Sequence, residues 1–361
     1  MLETIWKKIV RRNPYSLWDI PAFFLWLLSF VYRLGYLIDR SRRAQPEKVA
    51  VPVISIGNIV VGGSGKTPLV SFLVRDLLEA GIRVGIVSSG YGRSGKQSIL
   101  DSGYKVAQMD VAATGDEMML LAVQHPDAVF SIDSSKLVAA RTLADSGLVD
   151  VIVVDDGFQH YGLARDVDLV TYDAGVKRRQ LKSFPYGILR EPMSALSRAD
   201  IIVITRAKFA QDINAIKRRL RKINPRAQIY TAGFAAQQII GRDRTIPVKY
   251  LEDKSVFLFA GVGNFRALER QVSALCGDLD CAFELSDHQE YDAELLASIK
   301  KRADRLDSDL LLTTMKDWVK LGAFDFGREF YYLDLAVDLD PGEEKLLAYL
   351  TESLNLSRQE H

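Results

Sequence analysis

From residue 51 onward, short β-branched and apolar runs alternate with stretches in which apolar residues recur at helical spacing. The runs predict strands at 51–56, 84–88, 128–132, 151–155, 169–172 and 201–205. Between them, residues 68–80 and 134–146 predict amphipathic helices. Continuously apolar strands that alternate with helices are typical of an α/β fold with a mostly parallel sheet and helices on both faces. Ligands of such sheets bind beyond the carboxyl ends of the strands.

The pattern changes at 236–254, where Gly241-Arg242-Asp243 forms a turn-like centre that predicts a hairpin or linker. A second α/β pattern follows, with strands at 256–260, 310–314 and 330–333 and a helix at 264–275. The sequence therefore predicts three parts, with the hairpin or linker at 236–254 between the second and the third. These are an N-terminal helical segment over 1–43, a first domain over 44–235 and a smaller C-terminal α/β domain over 255–361.

The N-terminal segment contains an uncharged apolar run at 20–32, which Arg33 interrupts. This run is shorter than the roughly 20 residues that span a bilayer. The leading interpretation is an amphipathic helix at the membrane surface. Two alternatives stay open: a single span with Arg33 near the interface, and a buried core helix. A signal peptide fits in outline, but no small-residue cleavage site follows the run.

Charge sharpens this interpretation. The 361-residue chain has 47 basic and 46 acidic side chains, a net charge of +1, which argues against a general nucleic-acid binder. The first 43 residues hold eight basic and three acidic side chains, together with three of the four tryptophans, so their charge is +5 and that of the remainder is −4. A basic, aromatic segment is typical of a helix that binds anionic membranes. Cys276 and Cys281 match no common zinc spacing, and the absence of a disulfide framework indicates a reducing compartment.

The most specific motif lies between the first predicted strand and the first predicted helix. A glycine-rich loop at a helix N-terminus presents backbone N–H groups to phosphate. Lys66 is expected to reach the β- and γ-phosphates of a nucleotide, and the Thr67 hydroxyl to bind Mg²⁺. Val60 occupies the place of the first glycine in the general P-loop pattern. The predicted nucleotide-binding residues are Val60, Val61, Gly62, Gly63, Ser64, Gly65, Lys66 and Thr67.

The predicted strand at 151–155 supplies the expected partner, because it ends in Asp155-Asp156. A buried strand that ends in a carboxylate is the Walker B arrangement, which positions Mg²⁺ opposite the P-loop hydroxyl. The two motifs together predict a P-loop NTPase-like sheet. The guanine-specific NKxD motif is absent from the sequence, which counts against a GTPase switch.

Three other features carry candidate chemistry. The GxGxxG pattern at 90–95 opens no helix, so it predicts a loop in which Arg93 is available to a phosphate. Gly115-Asp116-Glu117 opens a predicted helix, either as a cap with acids in the first turn or as the site of a general base. His288 lies in a polar stretch of the C-terminal domain, where either a structural role or a role in closing the site fits.

Together these motifs resemble the tetraacyldisaccharide 4′-kinase family, the lipid A 4′-kinases of Gram-negative bacteria. The sequence departs from the family pattern at Ser89, Met118, Gln289 and Met315. The matching segments are Gly57-Asn58, GGSGKTP (62–68), GYGR (90–93), GDE (115–117), DDGFQH (155–160), LREP (189–192), Asp287-His288 and Lys316-Asp317.

The resemblance implies a kinase that uses ATP and Mg²⁺ to phosphorylate the 4′-hydroxyl of a tetraacylated glucosamine disaccharide 1-phosphate, giving lipid IVA. It implies that Asp116 is the base, assisted by His288, and that Lys66 stabilises the transferring phosphoryl group. The metal-side ligands that it indicates are Thr67, Asp155, Asp156 and Glu191. The headgroup contacts that it indicates are Tyr91, Arg93, Lys136, Gln159 and Arg190.

The partners that we expect from this resemblance are the lipid substrate and the membrane surface, with no nucleic acid and no protein partner. The expected location is the cytoplasmic face of the bacterial inner membrane, as a peripheral or monotopic protein. Two other functions stay open at this point. One is a soluble small-molecule P-loop kinase in which 1–43 packs as a helical arm. The other is a membrane-associated P-loop ATPase switch that needs no phosphate acceptor.

Overall fold

The computed structural model describes residues 2–12, 16–41, 45–90, 92–286, 289–321 and 324–356. Within these ranges the protein is mixed α/β. The helices are α1 (Leu2–Arg11), α2 (Asp19–Ser41), α3 (Lys66–Glu79), α4 (Gly103–Val106), α5 (Val111–Thr114), α6 (Asp116–Gln124), α7 (Lys136–Ser146), α8 (Ile213–Ile223), α9 (Phe265–Ser273), α10 (Ala293–Leu306), α11 (Met315–Leu321) and α12 (Glu343–Leu354). The strands are β1 (Val53–Asn58), β2 (Val84–Ser88), β3 (Ile99–Ser102), β4 (Val129–Ile132), β5 (Val151–Asp155), β6 (Val167–Asp173), β7 (Ile201–Thr205), β8 (Gln228–Ile240), β9 (Thr245–Pro247), β10 (Ser255–Ala260), β11 (Asp278–Glu284), β12 (Leu310–Thr314) and β13 (Glu329–Asp340).

The chain divides into two compact units, and each is assembled from separate segments. Unit 1 comprises Met1–Ser88, Ser135–Gly233 and Asp338–His361, whereas unit 2 comprises Ser89–Ser134 and Phe234–Val337. The chain leaves unit 1 after β2 and returns to it before α7. It leaves unit 1 again after Gly233 and returns to it at Asp338. The contiguous domains that the sequence suggests, 44–235 and 255–361, stay a prediction.

Unit 1 is built on a parallel sheet in the order β7-β6-β1-β5-β2, with the first residues of β8 beside β7. These five strands are buried along their whole length, which explains why their sequences are largely apolar. Helices α3 and α7 pack against β2 and β5. Helix α8 and a 3₁₀ helix at Met193–Arg198 cover Val170 and Ile202. The predicted α/β class and parallel sheet are confirmed.

Unit 2 contains a second parallel set, in which β10 lies between β11 and β12, and β13 pairs with β12. Along β10, Phe257 and Phe259 pack with α10, whereas Val256 and Leu258 pack with α9. The alternation shows that both faces of this strand are covered. Strands β8 and β9 pair antiparallel, which confirms the hairpin predicted around Gly241. Strands β3 and β4 pair antiparallel.

Helix α2 is attached to unit 1 by a few residues and is otherwise exposed. The stretch Asp19–Arg40 is long and apolar enough to cross a membrane, yet only 11% of its most apolar window is buried. Ala22 and Ser29 are among the buried positions. This exposure argues against the interpretation as a core helix. The large apolar side chains that α2 leaves exposed include Ile20, Phe23, Phe24, Leu28, Phe30, Val31 and Leu34.

Candidate active site

The loop between β1 and α3 has the conformation expected of a phosphate-binding loop. Gly65 is the N-cap of α3 with φ 80°, and Gly62 has φ 103°. Both values lie in the left-handed region, where residues with a Cβ are strained. Helix α3 begins at Lys66, so its unpaired N–H groups and positive dipole end open toward the loop. Glycine is thus required by the backbone at two positions of the motif.

The floor of this loop is a buried polar network around Ser64. Its hydroxyl is hydrogen-bonded to the Asn58 amide at 2.6 Å and to the Thr171 hydroxyl at 2.8 Å. The Thr205 hydroxyl donates to the Ser64 carbonyl oxygen at 3.0 Å. Sequence reasoning missed Thr171 and Thr205. The available signal was a polar residue near the carboxyl end of an otherwise apolar strand, which is where ligands bind in parallel sheets.

Asp156 lies directly after β5, in the left-handed region with φ 49°. Its carboxylate pairs with the Lys66 ammonium at 3.0 Å and with the Arg190 guanidinium at 2.9 Å. Burial opposes ionisation, but the charges of Lys66, Arg190 and Lys136 outweigh it and lower the pKa of Asp156 to about 2. The structure therefore brings together three predicted site residues, Lys66, Asp156 and Arg190, around one ionised carboxylate.

Lys136 binds the backbone of the turn that follows β5. Its ammonium donates hydrogen bonds to the carbonyl oxygens of Asp155 and Asp156, at 2.7 and 2.6 Å, and its side chain is buried. These bonds satisfy backbone oxygens where the strand ends and fix the turn that carries the aspartates. The predicted contact of Lys136 with the lipid headgroup stays a prediction.

Glu191 is buried and belongs to a different network. It accepts hydrogen bonds from Arg198 at 3.0 Å, from the Tyr161 hydroxyl at 2.6 Å and from the Tyr36 hydroxyl at 3.0 Å. Burial raises its pKa, but the bonds from Arg198, Tyr161 and Tyr36 outweigh burial, so the pKa lies below its usual range. The network joins α2 to the 189–192 segment, and a metal-binding role for Glu191 stays a prediction.

A pocket of about 530 Å³ opens in unit 1 between α2 and the strand-end residues. Gln159 donates from its side chain to the Asn58 carbonyl oxygen at 2.7 Å, whereas its own side-chain oxygen is buried without a hydrogen-bond partner in the described part of the chain. The Tyr32 hydroxyl donates to the Arg190 carbonyl oxygen at 3.0 Å. The lining residues are Tyr32, Gly35, Tyr36, Asp39, Asp156, Gln159, Arg190 and Glu191.

Two predicted residues lie in the GxGxxG loop of unit 2. Arg93 donates from Nη1 to the Gln97 carbonyl oxygen at 2.8 Å. Its Nη2 is buried and has no hydrogen-bond partner among the described residues, so it retains donor capacity. Tyr91 lies outside the described residues. The loop leads into strand β3 and not directly into a helix, as the sequence predicts.

Asp116 is the first residue of α6, as the sequence predicts, and Gly115 is its N-cap with φ 87°. The Lys320 ammonium lies 2.6 Å from the Asp116 carboxylate, and both side chains are largely buried. Sequence reasoning missed Lys320. His288, the expected assistant of Asp116, lies outside the described residues.

The residues at the carboxyl end of β5 fit Mg²⁺ only together with a phosphate ligand. In the described part of the chain, no group of three or more His, Cys, Asp or Glu side chains is arranged to hold a metal ion. Mg²⁺ is usually bound by one or two protein oxygens, waters and substrate phosphates. Thr67 in the first turn of α3 and the buried Asp155 carboxylate supply oxygens of that kind.

Comparison with known proteins identifies the family. The profile of the tetraacyldisaccharide-1-P 4′-kinase family matches residues 21–355. The chain belongs to this family. A tetraacyldisaccharide 4′-kinase from Syntrophobacter fumaroxidans is 33% identical over 335 residues, covering 90% of this chain and 86% of that protein. Another from Halothermothrix orenii is 32% identical over 347 residues, covering 90% and 89%.

Structural comparison agrees with the sequence comparison. A crystal structure of LpxK from Aquifex aeolicus in complex with ATP matches with a TM-score of 0.71 and 26% identity, covering 92% of this chain and 97% of that one. As a member of the family, the protein is a kinase, and the predicted family, fold class and function are confirmed. The soluble small-molecule kinase and the ATPase switch are thereby set aside.

Proposed function

We propose that this kinase transfers the γ-phosphate of ATP to the 4′-hydroxyl of a tetraacylated glucosamine disaccharide 1-phosphate, with Mg²⁺ as the metal ion. Family membership supports the substrate, and ATP in the LpxK crystal structure supports the phosphate donor. The observation that carries the assignment of the site is the array of Lys66, Asp156 and Arg190 beside a glycine-rich loop in the left-handed conformation.

Residues 60–67 bind the nucleotide phosphates in this proposal. Lys66 is held in place by Asp156 before the nucleotide arrives, so little side-chain entropy is lost on binding. Thr67 and Asp155 hold the metal ion, because both carboxylate oxygens of Asp156 are already bonded to cations. Bound Mg²⁺ supplies neutralisation of the charge on the phosphates during phosphoryl transfer.

Asp116 is the proposed proton acceptor. A sugar hydroxyl is a weak nucleophile, and a carboxylate that accepts its proton while the new O–P bond forms accelerates the reaction. The position of Asp116 at the N-terminus of α6 favours the ionised carboxylate that this role requires. The assignment follows from its place in the family's GDE motif, and so does the assisting role of His288.

The pocket beside α2 is the proposed site of the lipid headgroup. Arg190 and the tyrosine hydroxyls that line it suit sugar hydroxyls and a phosphate, and the orphaned Gln159 oxygen offers a further acceptor. The pocket adjoins a helix whose apolar side chains are exposed, so a headgroup held there leaves its acyl chains next to an apolar surface.

We also propose that unit 1 associates with the cytoplasmic face of the inner membrane. Exposed aromatic and aliphatic side chains of α2 enter the lipid, and a neighbouring basic segment meets the headgroups. The basic segment is residues 177–185. Its last two residues contact α1, because the Trp6 indole donates to the Pro185 carbonyl oxygen at 2.7 Å and packs on the Phe184 ring. Its exposed cations are Lys177, Arg178, Arg179 and Lys182.

The test of the proposal is transfer of label from γ-labelled ATP to the disaccharide 1-phosphate by the purified protein. We expect a bis-phosphorylated product and a loss of at least about 100-fold for Asp116→Asn, the usual size of a general-base contribution. Asp127→Asn removes an exposed carboxylate of the same unit and serves as the control. Unchanged transfer by Asp116→Asn would refute the base assignment, and label at another position of the sugar would refute the proposed specificity.

A further inference from the structure

Helix α11 carries a lysine whose side chain reaches the proposed base. The Lys320 Nζ lies 2.6 Å from Oδ2 of Asp116, and the two side chains are only 13% and 15% exposed. Helices α11 and α6 pack against each other within unit 2. This ion pair is therefore shielded from solvent on most sides, unlike the exposed pairs on the protein surface, which contribute little.

The same ammonium has a second partner. Lys320 donates a hydrogen bond to the Gln289 carbonyl oxygen at 3.1 Å. Gln289 directly follows Asp287-His288 in the sequence. One side chain thus binds the carboxylate of the proposed base and the backbone next to the residue expected to assist it.

The first turn of α11 stabilises the arrangement through Asp317, which is 1% exposed. Its carboxylate accepts hydrogen bonds from the Gly261 N–H at 3.0 Å, the Thr314 hydroxyl at 2.8 Å and the Tyr291 hydroxyl at 2.8 Å. Burial and the charges of Asp317 and Asp116 raise the pKa of Tyr291, so its hydroxyl stays a donor. Helix α11 is therefore bonded to the 289–291 stretch at two points, through Lys320 at Gln289 and through Asp317 at Tyr291.

We propose that Lys320 is a positioning residue for phosphoryl transfer, which holds the Asp116 carboxylate ionised and in one orientation and couples it to the backbone at Gln289. The inference rests on the proposed role of Asp116 as proton acceptor. A carboxylate that accepts a proton must present one oxygen lone pair to the hydroxyl, and an ammonium fixed on the other oxygen selects that orientation.

The charged environment of Asp116 is defined by the elements that pack on α6. Helix α4 contributes Lys105, which is paired with Asp101, and helix α5 contributes Asp110, whose carboxylate caps its own helix. Among the described residues, further titratable groups on these elements are Tyr104 of α4, Glu117 of α6 and His125 at its C-terminal end, Tyr291, and Lys316, Asp317 and Lys320 of α11. The Lys320 ammonium lies 2.6 Å from the Asp116 carboxylate, so removal of its charge is expected to change the pH dependence of the base.

The test compares Lys320→Met, which removes the charge but keeps the stem, with Lys320→Arg, which keeps the charge. The control is Lys301→Met, an exposed lysine of the same unit. For Lys320→Met we expect kcat to fall about 10-fold to 100-fold with KM for ATP unchanged, the size of effect that a misplaced reacting group produces. The acid limb of the pH profile should move to higher pH, because a carboxylate without its cation has a higher pKa. Lys320→Arg should recover part of kcat and the original profile.

The same substitutions in an Asp116→Asn background separate the two proposals. Rates are normalised to the amount of protein that binds ATP, which removes any contribution from misfolded molecules. If Lys320 acts through Asp116, Lys320→Met causes no further loss in that background. An equal loss in both backgrounds, or a wild-type kcat and pH profile for Lys320→Met alone, would overturn the inference. Full activity of Asp116→Asn would instead overturn the base assignment.

Discussion

At the level of single residues, the glycine-rich loop at 62–67 depends at two positions on backbone conformations that favour glycine. Gly62 and Gly65 have φ values of 103° and 80°, whereas Gly63 does not lie in the left-handed region and has open space where a Cβ would be. Another glycine is fixed by a close approach, since a Cβ on Gly57 would lie 2.6 Å from the Phe158 Cβ. The glycines of the motif therefore serve different physical purposes.

Gly65→Ala should destabilise the protein by about 1 kcal/mol, because an L-residue pays roughly that in the left-handed region. Gly63→Ala is the matched control and should change stability by less, since its backbone is compatible with a Cβ. Urea unfolding of the nucleotide-free protein measures both. Equal unfolding free energies for the two variants would contradict the strain argument.

At the level of elements, α2 is joined to the 189–192 segment by two tyrosine hydroxyls. Tyr32 bonds the Arg190 carbonyl oxygen, and Tyr36 bonds the Glu191 carboxylate, which also pairs with Arg198. Arg198 in turn lies over the Phe158 ring at 4.3 Å. The apolar helix is thus part of the same hydrogen-bonded assembly as the 189–192 segment, and displacement of α2 would disturb that segment.

Glu191→Gln should lower the unfolding free energy by about 2 kcal/mol, because it weakens charge-assisted bonds to a buried carboxylate. Tyr36→Phe removes one bond of the network and should cost about 1 kcal/mol. Thermal or urea unfolding checks both values. If Glu191→Gln instead keeps full stability and needs more Mg²⁺ for activity, Glu191 is a metal ligand and the network is secondary.

At the level of the whole molecule, positive charge is concentrated where apolar surface is exposed. The first 43 residues carry +5, and the cations at 177–182 lie shortly before Phe184, whose ring packs on Trp6 of α1. Anionic lipid attracts such cations, and the attraction weakens with salt because exposed charges are screened. The membrane association that we propose therefore combines apolar insertion with electrostatic attraction.

Arg178→Glu combined with Lys182→Glu should weaken binding to vesicles that contain phosphatidylglycerol. Each surface cation contributes about 1 kcal/mol, so we expect a loss of at least about 30-fold in affinity at low salt. Lys300→Glu with Lys301→Glu in α10 is the control of equal charge. Flotation assays at two salt concentrations measure the effect. An equal loss for both pairs would show that net charge, not this segment, attracts the membrane.

Local motifs made the conformation of the glycine-rich loop and the strand before Asp156 predictable, whereas contacts between residues far apart in the sequence were not predictable. The loop at 62–67 and the strand ending at Asp155 are each a continuous stretch of sequence, so each motif can be recognised from neighbouring residues. Thr171 and Lys320 act on Ser64 and Asp116 across more than 100 residues, so no spacing rule finds them. Glu191 shows the converse, since its motif suggests a metal ligand while its contacts form an ion-paired network.

The sequence by itself determined the strand pattern, the glycine-rich loop, the carboxylate at the end of β5 and the apolar character of α2, because each is set by neighbours along the chain. Only the tertiary structure decided that Asp156 binds Lys66 and Arg190, that Lys136 supports the strand end and that Lys320 binds Asp116. The contacts at the end of β5 arise because parallel strands bring their carboxyl ends to one edge of the sheet. All of these charges are paired because a buried charge without a partner costs free energy.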